Sequence, residues 1–114
     1  MELLVIRHGT AEPHGHPGGD GARALVVKGW RQARAVGKFL ARTGCLPGLV
    51  LTSPLVRARE TALGVCEEAG ILGPVEVPWL SCGVDPETVL AELRAYTEVE
   101  RVAVVGHEPA LSEL

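Results

Sequence analysis

Three separated stretches of the chain carry side chains that could do chemistry together: Arg7-His8-Gly9 near the start, Thr52-Ser53-Pro54 with Arg57 just beyond, and Gly106-His107 near the end. Each has a plain reading by itself. A strand must end somewhere, and Arg-His-Gly serves as a polar end. A lone Arg57 on a helix would pair with Glu60 or Glu67, and a lone His107 would hydrogen-bond at a strand end. Gathered at one place, two arginines and two histidines repel one another unless an anion completes the set. A phosphoryl group fits best, because guanidinium forks pair with its oxygens two at a time and helix N-termini add backbone donors.

The elements between these stretches decide whether they can meet. Strand-like runs alternate with helix-period segments: "ELLVI" at 2–6, "LVLT" at 49–52, a brief "VEV" at 75–77 and "RVAVV" at 101–105 are the strands. A helix from about residue 28 carries Trp30, Ala33, Gly37, Leu40 and Ala41 on one stripe. The next starts with Ser53 as cap and Pro54 in the first helical position, buries Ala58, Ala62, Val65, Cys66 and Ala69, and ends at Gly70. Asp85-Pro86 repeats the start signal before a face of Val89, Leu90, Leu93 and Tyr96, and a further helix start follows Gly106-His107-Glu108-Pro109. This order predicts a single domain, residues 1–114, of three-layer α/β/α architecture with a mainly parallel central sheet.

In such a sheet the loops leaving the carboxyl ends of the strands converge on one edge. The first, second and last strands would then act as rigid posts that aim Arg7, His8, Arg57 and His107 at one rim. Residues 10–24, rich in Gly, Pro and His, read as a mobile loop that could cover this rim. His14 and His16 within it have no third ligand nearby and read as solvated, so no metal is expected.

Composition narrows the classes. Hydrophobic residues at 46% and charged ones at 22% describe an ordinary globular protein. A formal charge of -3 argues against nucleic acid as a partner for the whole molecule, yet leaves room for a local basic pocket. Cys45, Cys66 and Cys82 are widely spaced and odd in number, so buried free thiols are expected rather than disulfides or a zinc knuckle. No stretch reaches the length of a membrane span and no leader is visible, which makes the cytoplasm the default compartment.

Taken together, "VIRHGTA", "TSPLVRARETA" and "VVGHEP" resemble the motifs of the histidine phosphatase superfamily, also called phosphoglycerate mutase-like, in that family's order. The short middle section and "ARALVVKGWRQA" look most like its small SixA-type phosphohistidine phosphatases. The resemblance implies a phosphatase without cofactor, acting on a phosphohistidine protein or a small phosphomonoester. His8 would attack phosphorus and become phosphorylated before water releases phosphate, while Arg7, Arg57 and His107 hold the phosphoryl oxygens. Arg23 matches a loop arginine of SixA-like relatives that would reach the substrate. A neutral imidazole beside arginines suits the nucleophile, since adjacent cations favour its uncharged form.

Departures from the family pattern sharpen these expectations. Thr10 stands where an acidic or amide residue is frequent, and Leu25-Val26-Val27-Lys28-Gly29 lacks the usual threonine cap. Larger relatives use a glutamate general acid in the middle region; here Asp85 reads as a helix cap instead. Without an acid, alkyl phosphates are disfavoured and phosphohistidine, with its good leaving group, is tolerated. Relatives continue past the His-x-Pro segment, so the fold is expected to be shortened at the C-terminus, with an open apolar sheet edge that favours a homodimer. The alternative to an enzyme is a non-catalytic phosphate-binding or regulatory module of the same fold.

Overall fold

Strands and helices alternate along the chain in the computed structural model, which describes residues 1–107 and Leu111. They are β1 (Glu2–Arg7), α1 (Val27–Arg42), β2 (Leu49–Thr52), α2 (Val56–Ala69), β3 (Val75–Glu76), α3 (Pro86–Leu93) and β4 (Arg101–Gly106). All strand pairs are parallel, in the order β1-β4-β2-β3. The last strand is thus inserted between the first two. Register sets Arg7 beside Gly106 and Thr52 beside Val105, so the tips of β1, β4 and β2 end at one level.

The inner strands β2 and β4 are almost continuously apolar because both their faces are covered, whereas on the edge strands Val5 and Val75 remain exposed. Val50, Ala103, Val105 and Ile6 pack under α1 and α2, whereas Leu51, Val102 and Val104 pack with Val77, Leu80, Val89 and Leu93 on the opposite side. Alternate residues of one strand therefore feed two separate cores, which gives the three predicted layers. On the first face α1 and α2 meet almost backbone to backbone. A side chain on Gly37 would sit 2.6 Å from the Val65 carbonyl oxygen, and one on Gly64 would sit 2.9 Å from the Ala33 methyl.

Local details depart from expectation for physical reasons. Ala41 and Leu90 are exposed, since each follows a buried residue and is turned about 100° away from it. The helix after β2 starts at Val56 with Leu55 as its N-cap, so Ser53 does not cap it. The Ser53 hydroxyl is instead engaged at the strand tip, where it accepts the Leu55 N–H at 3.2 Å and meets His107. Asp85 does cap α3, accepting the Thr88 N–H at 2.9 Å, and Gly70 ends α2 with φ 72°.

Residues 10–24 form a hydrogen-bonded strap rather than an open loop. The Glu12 N–H donates to Ala24 O at 2.8 Å, the Val26 N–H to Thr10 O at 3.0 Å, and Glu60 of α2 accepts the Leu25 N–H at 2.7 Å. Of the three free cysteines only Cys66 is buried; Cys45 is half-buried and Cys82 exposed. The helix start expected after His107 lies outside the described residues. No helix among the described residues is long and apolar enough to cross a membrane.

Candidate active site

The strand tips build the site. His8 leaves β1 directly, and its N–H reaches Gly106 O at 3.4 Å, tying it to the neighbouring tip of β4. Its ring Nδ1 lies 2.8 Å from Gly9 O. A carbonyl only accepts, so Nδ1 carries the proton and Nε2 keeps the free lone pair. The turn beneath the ring is held from α2: the Gly9 N–H donates to Thr61 Oγ1 at 3.0 Å, and the Thr61 hydroxyl donates to Arg57 O at 2.7 Å. Gly9 must be glycine here, because a Cβ would stand 2.7 Å from Gly29 O of α1.

His107 follows β4 and is 5% exposed. Its Nε2 lies 2.7 Å from Ser53 Oγ at the tip of β2, and its ring centroid lies 5.4 Å from that of His8. Nδ1 is buried with no partner among the described residues. Burial first, then the nearby Arg57 and His8, push the His107 pKa down to about 4, with Asp20 opposing. Burial also lowers the His8 pKa, helped by Arg57, Arg7 and Arg23 and opposed by the Gly9 carbonyl. Both rings are therefore neutral near pH 7.

That balance gives a direct test. In the phosphate-free protein, NMR titration of the imidazoles should place His8 below the ordinary value of about 6.5 and His107 near 4. The sign follows from the cause, since protonation adds charge to buried rings that already face arginines. A His8 midpoint at or above the ordinary value would contradict the electrostatic picture.

Arg57, on the first turn of α2, is 4% exposed, so the surface pairing with Glu60 or Glu67 is overturned. Glu67 lies near Arg34, and Glu60 is occupied by the Leu25 N–H. Arg57 reaches across to the strap, where Nη1 donates to Asp20 O at 3.0 Å and Nη2 to Asp20 Oδ2 at 3.1 Å. Arg23 meets the same carboxylate, donating from Nη1 to Oδ1 at 2.9 Å and from Nε to Glu12 O at 2.7 Å. The structure brings Arg7, His8, Arg23, Arg57 and His107 around one cavity of about 380 Å³, joined by Asp20, His14 and Cys82. The cluster is cationic around uncharged rings, which suits an anion with several acceptor oxygens.

Sequence reasoning missed three participants. Asp20 was hidden in a segment read as loop, and Ser53 was assigned to a cap. Thr61 could have been found, because it stands four residues after Arg57 and thus on the same face of α2.

Comparison with known proteins agrees with this architecture. The family model for the histidine phosphatase superfamily (branch 1) matches residues 3–80. An uncharacterised protein of Picosynechococcus is 35% identical over 119 residues, which cover 99% of this chain and 70% of that protein. The structure of the protein histidine phosphatase SixA complexed with tungstate is similar with TM-score 0.91 and 28% identity, over 100% of this chain and 74% of the SixA chain. The structure of the putative phosphohistidine phosphatase SixA from Agrobacterium tumefaciens gives TM-score 0.88 and 26% identity, over 97% of this chain and 71% of its own. With motif order, sheet topology and family model in agreement, the chain belongs to the histidine phosphatase superfamily and is SixA-like within it, with the phosphoglycerate mutase-like fold.

Proposed function

We propose that the protein is a phosphatase that removes a phosphoryl group through a phosphohistidine on His8, and that its substrate is a phosphohistidine protein. The observation that carries this reading is the pairing of His8, its Nε2 lone pair free, with His107 and Arg57 across one cationic cavity. His8 Nε2 attacks phosphorus, the bond from phosphorus to the leaving nitrogen or oxygen breaks, and the leaving group takes a proton from solvent. Water then attacks the phosphohistidine, releasing inorganic phosphate and restoring His8. Arg7, Arg57, Arg23 and His107 hold the phosphoryl oxygens while negative charge redistributes in the transition state.

The choice of leaving group rests on the carboxylates. Asp85 is used as a helix cap. Asp20 faces the cavity, but its hydrogen bond from Arg23 and the charge of Arg57 keep its carboxyl below the usual carboxylate range, so it is ionised and has no proton to give. Among the described residues that line the cavity no carboxyl is then left to give a proton, which favours leaving groups that depart without an acid, such as an imidazole or an aryl oxide, over alkoxides.

The test is a substrate panel read with intermediate trapping. A phosphohistidine protein and an aryl phosphate should be hydrolysed with an acid-labile, base-stable phosphoenzyme, and an alkyl phosphate should be turned over far more slowly. Phosphate binding without turnover of any member of the panel would favour the non-catalytic module instead.

A further inference from the structure

We propose that Asp20 is a positioning residue for the anion site: it grips the outer end of the Arg57 guanidinium and one end of Arg23, leaving the inner edge of Arg57 to the phosphoryl oxygens. The inference rests on reading the cavity as a phosphoryl site.

A guanidinium offers five N–H donors in a rigid planar fork, and an anion can take it end-on through the two Nη atoms or side-on through Nε and one Nη. In this structure the end is taken. The Asp20 backbone oxygen and Oδ2 accept from Nη1 and Nη2, at 3.0 and 3.1 Å. The side is unclaimed by the protein, for Arg57 Nε is buried and has no acceptor among the described residues, while Arg57 itself lines the cavity. A buried donor left unpaired is costly, and an incoming oxygen would satisfy it. Asp20 and the substrate thus need not compete for the same edge.

The rest of the carboxylate is equally committed. Oδ1 accepts from Arg23 Nη1 at 2.9 Å, and His14 Nδ1 stands 3.6 Å away. Asp20 is the bridge between an arginine on α2 and one on the strap, two cations that would otherwise repel and drift apart. Backbone geometry brings it there: Gly19 has φ 92°, a conformation that favours glycine, and leads into the short 3₁₀ turn Asp20–Ala22 packed beside the start of α2. Because one of the two contacts to Arg57 comes from the Asp20 backbone, side-chain replacement leaves the turn anchored.

Removing the carboxylate has two opposed consequences. It makes the cavity more positive, which by itself strengthens anion binding. It also frees Arg57 and Arg23 to adopt other rotamers, which weakens binding and, more strongly, the transition state. If Asp20 positions, the second effect dominates. Asp20→Ala should then bind inorganic phosphate about 10-fold more weakly by calorimetry, and kcat on an aryl phosphate should fall by about 10- to 100-fold with a smaller rise in KM. Asp20→Asn, which keeps one acceptor oxygen, should fall between Ala and the native protein, and since Asp20→Ala leaves Arg57 Nη2 without its acceptor, melting curves show that both variants are folded before affinity and kcat are compared.

Phosphate binding by Asp20→Ala that equals or exceeds that of the native protein overturns the proposal and makes the carboxylate a competitor for the fork. Unchanged kcat in that variant overturns it as well. The phosphate arm decides independently of catalysis: a native protein that binds phosphate but hydrolyses nothing removes the phosphatase reading while Asp20 is still judged on affinity. A native protein that fails to bind phosphate removes both.

Discussion

His8→Ala should lower turnover of an aryl phosphate by at least about 10⁴-fold and abolish the phosphoenzyme, with the fold retained. The size follows from what is removed. On the proposed reading the other groups in the cavity bind and polarise phosphorus and His8 Nε2 forms the covalent bond; His107 is less suited to attack, since its Nε2 is engaged by Ser53 Oγ at 2.7 Å and its Nδ1 is buried. Losing a transition-state stabiliser slows a step; losing the nucleophile removes the two-step route and leaves only direct attack by water. Retention of the fold is expected because His8 is only half-buried and its anchoring contacts are made by the backbones of His8 and Gly9. The measurement is steady-state release of the aryl oxide together with acid and base stability of trapped phosphate. Turnover in His8→Ala within 10-fold of native would remove His8 from its role, whatever the ring's position.

That expectation came within reach of the sequence because each strand tip was marked twice, once by the end of an apolar run and once by an unusual polar residue. The runs around Val50 and Val104 are apolar on consecutive positions since both sheet faces are covered there, the run around Ile6 continues the pattern on an edge strand, and such runs announce parallel strands. Strand order was less accessible. Nothing in spacing alone says that β4 enters between β1 and β2, although this insertion is what sets His8, His107 and Ser53 side by side. The sequence could state that the tips share an edge, not which tips are neighbours.

Side-chain partners were the harder part. Helical spacing offers Glu60, three residues on, to Arg57, but Glu60 is half-buried and accepts the Leu25 N–H, and Glu67 lies ten residues along the same helix, out of reach. Burial of Arg57 selects instead an acid 37 positions earlier in the chain, carried by a strap whose path depends on backbone hydrogen bonds at Glu12, Ala24 and Val26. Ser53 illustrates the same limit in reverse. A serine followed by proline fits a helix start, but at the tip of β2 its hydroxyl meets His107, and the helix begins later at Val56. Local rules describe what a residue can do within one element; the choice among those uses is made by what the fold brings from elsewhere.

Arg57 is the second position where a large effect is expected, and the comparison of two variants isolates its cause. Arg57→Ala should reduce kcat/KM for an aryl phosphate by about 10³-fold or more, because the proposed desolvated, charge-assisted contact to the transferring group is removed. Arg57→Lys keeps the positive charge but replaces a planar fork by a single ammonium. Were charge alone important, Lys would restore most of the activity. The geometry argues otherwise: the native side chain bonds Asp20 at its end while its Nε edge lies buried and unpaired among the described residues, a division that an ammonium cannot reproduce. Lys is therefore expected to remain about 100-fold below native, with phosphate affinity reduced less than kcat. Melting curves accompany the kinetics, since Arg57 is buried and its removal leaves Asp20 paired with Arg23 alone. A folded Arg57→Lys protein with native kcat/KM would show that the site needs a charge and not a fork, and would withdraw the side-on contact on which the division of labour between Arg57 and Asp20 depends.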